Sequence, residues 1–354
     1  MSEFPKPTPE PDAAPAPVAP LRLLDKPLAH IGAWAQYFLH AEIPIMAATA
    51  AGLEELRARD DDVDANEITA LIQSDPLMTL KLLAHVSGFR RPAHMGVPET
   101  ISECLVLMGI APFFRAFGPQ RTVEDWLAHD VAALRGVQAL LHRAERAGQF
   151  ALSFAIHRGD TDAAIIHEAA FLHDFAEILL WLHAPTLMLR IQAAQQADST
   201  LRSTVIQKQV LNVQVSDLQQ ALMKLWQMPE LLVRITDDRH AEHPSVRSVL
   251  LAVRLARHTA LGWDNPAVPD DVRDIAQFFN APEHVVLSFL HNVDHPVVEA
   301  ANVSGLPQDP VDAPAESDAD PGATPAAADA SPTSPSVNPM DDAMQDTLPL
   351  PPRG

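Results

Sequence analysis

Residues 72–83 of this chain read IQSDPLMTLKLL. Asp75 followed by Pro76 is typical of the start of a helix, because an aspartate side chain caps the first amides and proline lacks only an N–H that has no partner there. The leucines that follow recur at helical spacing, at positions 77, 80, 82 and 83. The stretch therefore predicts a helix that begins at Pro76 and buries one face.

The helical period continues on both sides of this stretch. A helix over residues 67–72 is expected to precede it, and Gly109 is expected to separate a helix over 101–108 from one over 110–117. Ser216 and Gln219 have the spacing of a capping box that opens another helix. The remaining predicted helices cover residues 123–156, 162–183 (capped by Asp160 or Thr161), 245–261, 270–279 and 282–293. No alternating run is long enough for a sheet, so the predicted fold class is all-α.

Proline and acidic residues mark the two ends of the chain. Of 32 prolines, 7 lie in residues 1–20 and 11 in residues 301–354. Such segments carry too few large apolar groups to offset the entropy of ordering them. We therefore expect a disordered Pro/Ala-rich N-terminus over 1–20, one folded helical domain over 21–304, and a disordered acidic tail over 305–354. The tail is read as a solvating appendage, with a partner-docking segment as the alternative.

Charge and cysteine content exclude several classes of function. The chain has 354 residues and a net charge of −21, which argues against nucleic acid and anionic membranes as partners. One cysteine, Cys104, excludes an intrachain disulfide, and its apolar helical surroundings indicate a buried thiol rather than a nucleophile. No segment reads as a signal peptide or a membrane span, so a cytoplasmic protein is expected.

The residues most able to carry chemistry are His173 and Asp174, within AAFLHDFAEILL (169–180). On one helix their side chains would diverge by about 100° and offer a nitrogen and an oxygen to one cation. His142 lies 31 residues earlier and would approach His173 if the two helices pack antiparallel, and Glu177 would add an oxygen. The alternative is structural: a buried histidine bonded to a carbonyl, and an aspartate that pairs with an arginine or caps a helix.

The wider pattern resembles the HDOD family, the HD-related output domain of bacterial signalling proteins, over roughly residues 43–295. Loose blocks match in order: residues 43–46, 67–83, 100–110, His142, His173-Asp174, 226–229 and 240–244. The resemblance implies a two-lobed helical domain, with an N-terminal lobe over about 21–120 followed by an HD-like bundle over about 121–304.

The resemblance also implies a degenerate HD site. In catalytic HD phosphohydrolases a later aspartate closes the metal site, and here Val253 stands near that position. The related HD-GYP phosphodiesterases have Gly-Lys after the pair, where this chain has Ala176 and Glu177, and a further histidine where this chain has Val215. Only His142, His173, Asp174 and one of His240 or His243 survive of that set.

The sequence thus predicts a non-catalytic regulatory module that transduces a signal by binding another signalling protein. No catalytic residue, cofactor or metal is expected; should a metal be present, its candidate ligands are His142, His173, Asp174 and Glu177. The alternative is a divergent metal-dependent HD-type phosphohydrolase acting on a cyclic nucleotide or nucleotide. The upstream signal, the partner and the oligomeric state are not encoded in any recognisable motif.

Overall fold

The computed structural model describes residues 23–59, 62–88, 98–198 and 200–295, and these belong to one compact unit. The regular elements of the described residues are all helices. The β-type pairing among these residues is one isolated parallel bridge between Ile45 and Thr122. The predicted all-α fold is confirmed. The segments predicted to be disordered, 1–20 and 305–354, lie outside the described residues.

The N-terminal part of the domain consists of short helices. They are α1 (Ile31–His40), α2 (Ala47–Arg57), α3 (Ala65–Ile72), α4 (Pro76–Ser87), α5 (Ile101–Met108), α6 (Ile110–Ala116) and α7 (Val123–Trp126). Helix α1 packs against a helix of the C-terminal part, α13 (Val215–Leu225). Trp34 donates a hydrogen bond of 3.0 Å to the carbonyl of Leu211, the last residue of the helix before α13. The first helix therefore lies on the bundle formed by the later ones.

The C-terminal part is built around one long helix, α8 (Val131–Arg158). The helices that follow are α9 (Ala163–Phe171), α10 (Phe175–His183), α11 (Pro185–Ala197), α12 (Ser203–Leu211), α13 (Val215–Leu225), α14 (Glu230–Ile235), the 3-10 helix Asp238–His240, α15 (Pro244–His258), α16 (Val268–Phe279) and α17 (Glu283–Asp294). Helix α8 packs against α9, α10, α15 and α17. Its contact with α10 is close, because a Cβ at Gly136 would lie 2.7 Å from the Trp181 ring.

The start of α4 is as predicted. Asp75 accepts hydrogen bonds from the amides of Leu77 (2.9 Å) and Met78 (3.2 Å), and Pro76 is the first helical residue. The second carboxylate oxygen accepts from the amide of Met46 at 2.8 Å, where α2 begins. Asp75 is fully buried, so one carboxylate joins the starts of two helices in the core.

Two further predictions in this region are confirmed. Gly109 ends α5 and begins α6, and its φ of 80° is a conformation that a residue with a side chain rarely adopts. Cys104, on α5, is 1% exposed and lies in the hydrophobic core. The core is continuous from α1 to α17, and no helix in the described part of the chain has the length and apolarity that crossing a bilayer requires.

Two helix boundaries were predicted wrongly. The helix predicted over 123–156 is interrupted after α7, and α8 begins behind Asp130, whose carboxylate accepts from the amide of Ala133. The capping box at Ser216 is not formed, because α13 begins at Val215. The amide of Val215 is bonded by the side chain of Gln207 from the preceding helix, so a long-range contact replaces the local cap.

The predicted helix over 162–183 is also wrong, and this break concerns the His-Asp pair. Helix α9 ends at Phe171 and α10 begins at Phe175, so residues 172–174 form a turn between them. The predicted caps, Asp160 and Thr161, are replaced by Asp162 at the N-cap position. His173 and Asp174 therefore project from a bend in the chain, where charged groups from other helices can reach them.

Candidate functional site

The His-Asp turn lies within the C-terminal bundle, enclosed by α8, α15 and the 3-10 helix. The side chains of His173 and Asp174 are 12% and 13% exposed. At this depth an ionised group costs several kcal/mol unless a partner compensates it. The charges that meet the pair therefore decide what the turn does.

Asp174 is compensated by arginines from two helices. Arg143 of α8 donates to its carboxylate through Nη2 and, at 3.0 Å, through Nε. Arg257 of α15 lies farther away, with 3.7 Å between its Nη2 and Oδ1 of Asp174. Burial disfavours the ionised carboxyl, but Arg143, His173 and Arg257 outweigh it and hold the pKa of Asp174 well below its usual range. Asp174 is thus a carboxylate at neutral pH.

Both ring nitrogens of His173 face carboxylates. Nδ1 lies 3.0 Å from Oδ1 of Asp174, and Nε2 lies 2.9 Å from Oδ1 of Asp238 on the 3-10 helix. Burial lowers the pKa of the imidazole, but the hydrogen bonds to Asp174 and Asp238 outweigh it and raise the pKa to about 9. At neutral pH His173 is therefore an imidazolium that donates both of its protons.

Glu177 completes the cluster from the first turn of α10. Its Oε2 lies 3.4 Å from Nη2 of Arg143, so one guanidinium serves two carboxylates. Burial raises the pKa of Glu177, an effect that Arg143 reduces. We call these five residues, Arg143, His173, Asp174, Glu177 and Asp238, the charge cluster.

The structure brings His173, Asp174 and Glu177 together but not His142. The His142 side chain is 67% exposed, and Glu145 on the same helix is its ionic partner, with 3.8 Å between Nδ1 and Oε2. Adjacent helical residues differ by about 100° in direction, so when Arg143 faces Asp174, His142 points away from it. The expected approach of His142 to His173 is therefore wrong, and the neighbouring arginine takes the place that sequence spacing had assigned to a histidine.

Sequence reasoning missed Arg143, Asp238 and Arg257. The buried residues of α8 recur at helical spacing, at Ala133, Val137, Leu140, Ala144, Ala147, Ala151 and Phe154. Arg143 lies between positions 140 and 147 of this stripe, three or four residues from each, whereas His142 falls on the other side of the helix. Arg143 could thus be identified from its position on the buried face of α8. A poorly exposed aspartate such as Asp174 needs a cation, and Arg143 is a cation on that face.

The charge cluster does not fit a divalent metal ion. A histidine ligand coordinates through an unprotonated nitrogen, whereas both nitrogens of His173 donate to carboxylates. The carboxylate of Asp174 already accepts from Arg143 and His173, and the buried Val253 offers no ligand atom. Within the described ranges, no group of three or more His, Cys, Asp and Glu side chains has an arrangement suited to a metal. His240, on the 3-10 helix, is exposed beside Asp237 and Glu242.

Two cavities flank the hydrogen bond between His173 and Asp238. The first, of about 460 Å³, is lined by polar and acidic residues of α12, α13 and the 3-10 helix, among them Gln207, Ser216 and Asp237. The second, of about 450 Å³, lies along α15, and we call it the arginine cavity. His173, Asp238 and Arg257 line both. The hydrogen bond therefore stands at the boundary between an acidic cavity and a basic one.

Comparison with known proteins agrees with this architecture. The HDOD domain profile matches residues 43–242. The MmoQ response regulator of Methylococcus capsulatus is similar in structure, with a TM-score of 0.54 and 16% identity over 71% of this chain and 99% of that one. A virulence factor of Campylobacter jejuni has a TM-score of 0.54 and 16% identity over 74% and 95% of the two chains. An HDOD domain protein of Geobacter sulfurreducens has a TM-score of 0.40 and 14% identity over 74% and 96%. No curated protein matches by sequence.

Proposed function

The chain belongs to the HDOD family, and on that premise we propose that it is a non-catalytic regulatory module of signal transduction, which acts by binding another protein. Its sequence has no nucleophile elbow, P-loop or dinucleotide fingerprint. The proposal therefore depends on what the His-Asp turn can do.

One observation carries the proposal: the side chains of His173 and Asp174 are already engaged by each other and by Arg143. Metal-assisted hydrolysis needs ligands that hold the ion and an open position for water. Here a guanidinium binds the carboxylate that would coordinate the ion, and both ring nitrogens of the histidine lie within hydrogen-bond distance of carboxylates. A domain in this arrangement is suited to hold a fixed shape, which a partner protein then recognises.

The turn also has a structural role in such a module. Arg143 comes from α8, Asp174 and Glu177 flank the start of α10, and Asp238 belongs to the 3-10 helix before α15. One network thereby connects three segments that are distant in sequence. Loss of a member is expected to change stability and the placement of the 3-10 helix, rather than the rate of a reaction.

The first test measures metal and turnover. The full-length protein, purified without chelators, is analysed for Mn, Fe, Zn and Mg and then incubated with each ion and a generic phosphodiester, bis(p-nitrophenyl) phosphate. We expect substoichiometric metal, no turnover above the buffer, and a melting temperature that does not change with a chelator. Stoichiometric metal together with turnover abolished by Asp174→Asn would establish the hydrolase alternative.

The second test measures partner binding. The full-length protein, tagged and expressed at its native level, is cross-linked in its own cells, and captured proteins are identified by mass spectrometry. A genuine partner should be displaced by excess untagged protein and should bind the purified chain directly. If no captured protein meets both criteria while the chain turns over a substrate, the regulatory role is wrong.

A further inference from the structure

The lining of the arginine cavity has a net positive charge, although the chain as a whole is acidic. Its lining includes Arg247, Arg254, Arg257 and His173 against two carboxylates, Asp238 and Asp274. The chain as a whole has a net charge of −21. A cavity of about 450 Å³ is in the size range of small-molecule sites. An excess of guanidinium groups in such a cavity favours an anionic occupant.

The three arginines come from one face of α15. Arg247, Arg254 and Arg257 stand seven and three residues apart along the helix, which places them within about 80° of one another around its axis. They extend over about 15 Å at the helical rise of 1.5 Å per residue. The cavity is therefore an elongated groove with guanidinium groups along one wall.

Two of these guanidinium groups have unused hydrogen-bonding capacity. Arg254 is paired with Asp271 and Asp274, at N–O distances of 2.6 Å each. Arg247 instead lies over the ring of Phe278, 5.3 Å from its centre, and Arg257 has the Asp174 carboxylate 3.7 Å away. Neither donates a side-chain hydrogen bond to any residue in the described ranges. Arg247 and Arg257 are thus available to a ligand, while Arg254 is held in place between them.

Asp238 occupies the position at which an external anion would meet His173. It lies on a helix of three residues, its side chain is 50% exposed, and within the described residues its hydrogen bond of 2.9 Å to Nε2 of His173 is the one that holds it. An exposed carboxylate with a single partner is replaced at small cost. Its displacement would open the boundary between the two cavities.

We propose that the arginine cavity binds a small organic phosphate, which accepts hydrogen bonds from Arg247 and Arg257 and displaces Asp238 from His173. The binding energy favours the state in which the Asp238 side chain has left His173. We choose phosphate because one phosphate group carries up to two negative charges. The guanidinium groups of Arg247 and Arg257, together with the imidazolium of His173, can compensate both charges. The site gives the proposed regulatory module a ligand that it can respond to. The binding site and the regulatory function are separate proposals, and either can be refuted without the other.

The test is a calorimetric titration of the full-length protein at constant ionic strength with three probes: pyrophosphate, adenosine 5′-monophosphate and citrate. We expect saturable binding of both phosphates and weaker binding of citrate, whose carboxylates each carry one charge. Arg257→Gln should weaken phosphate binding by about tenfold. Arg190→Gln, which removes an exposed arginine of α11 outside the cavity, should leave binding unchanged.

Asp238→Asn separates a ligand site from a merely structural cluster. If Asp238 competes with the ligand, its neutralisation should tighten phosphate binding by about three- to tenfold. Absence of saturable binding, equal loss with Arg190→Gln, or weaker binding with Asp238→Asn would overturn the proposal. The adenosine 5′-monophosphate is recovered and analysed after each titration. Its hydrolysis would contradict the non-catalytic function but leave the binding site in place, so that the two can fail independently.

Discussion

Two carboxylates with little exposure to solvent, Asp75 and Asp174, each stand directly before a helix and yet are stabilised in opposite ways. Asp75 accepts hydrogen bonds from the amides of Met46, Leu77 and Met78. Asp174 makes no cap on its helix and is bonded by Arg143 and His173. Partial charges of the backbone satisfy the first carboxylate, and formal charges of distant side chains satisfy the second.

The difference shows in the protonation of the two groups. Burial raises the pKa of Asp75, because its amide donors oppose that effect only in part. The pKa of Asp174 is held well below its ordinary value, because a guanidinium and an imidazolium face it. A neutral substitute of the same shape can therefore keep the α4 cap through one acceptor oxygen, whereas a charge network requires the formal charge. The following experiments test this contrast in order of decreasing expected effect.

Removal of the cation should have the largest effect. Arg143→Met leaves Asp174 buried without its main counter-charge, and we expect a loss of about 3–5 kcal/mol in the free energy of unfolding. The measurement is chemical denaturation of the full-length protein followed by circular dichroism. Adding Asp174→Asn to Arg143→Met should recover part of the loss, since the uncompensated charge is then gone.

The adjacent residue provides the control. His142→Ala alters an exposed side chain next to Arg143 and should change the free energy of unfolding by less than about 0.5 kcal/mol. Equal losses for His142→Ala and Arg143→Met would show that any disturbance of this part of α8 is destabilising, and the special role of the guanidinium would be refuted.

Replacement of the backbone cap should cost less and depend on shape. Asp75→Ala removes the α4 cap and leaves the Met46 amide without its acceptor, so we expect a loss of about 2–3 kcal/mol. Asp75→Asn retains an acceptor oxygen for the α4 amides but turns an NH2 group toward the Met46 amide, so it should lose less than Asp75→Ala but more than nothing. If Asn is as harmful as Ala, one acceptor oxygen does not suffice for the α4 cap, and the contrast with Asp174 is broken. Denaturation curves for the two variants decide this.

The pH dependence of stability should distinguish the two sites. The folded-state pKa of His173, about 9, lies above its ordinary value of 6.5. Its contribution is therefore complete below pH 6.5 and is lost as the pH rises through about 9. The free-energy advantage of the wild type over His173→Gln should fall by about 2–3 kcal/mol between pH 6 and pH 9.5. His142→Ala serves as the comparison, and a constant advantage for the wild type would mean that His173 is neutral.

The smallest effect is expected at the exposed end of the network. Asp238→Asn removes one charge from a half-exposed side chain, so the loss should be about 0.5–1 kcal/mol. Thermal melting in low and high salt measures it, and the loss should diminish in high salt because the pair is open to solvent. A loss as large as that of Arg143→Met would place Asp238 among the buried determinants of the fold.

The same contrast explains what the sequence could and could not predict. The start of α4 was predicted to the residue, because Asp75, Pro76 and the capped amides are neighbours in the chain. The all-α class followed from helical periodicity, and the order of the family's blocks indicated the HDOD domain, which the profile match to residues 43–242 confirms.

The break at the His-Asp pair could not be read in the same way. Residues 162–183 have a continuous helical period, and the turn is stabilised by Arg143, 31 residues before Asp174, and by Asp238, 65 residues after His173. Sequence spacing selected His142 because histidine is the usual metal ligand, although its position on α8 faces away from the buried stripe. Local chemistry predicts local caps; a network between distant segments requires the packing to be known first.

The burial of Cys104 makes the rate of thiol modification a measure of local opening in this protein. The chain contains one cysteine, and its side chain is 1% exposed on α5. A thiol reagent therefore reacts only when this part of the core opens. When reclosing is faster than labelling, the observed rate reports the equilibrium between closed and open states; when labelling is faster, it reports the opening rate itself. Comparing this rate with global denaturation would show whether α5 unfolds together with the bundle or before it.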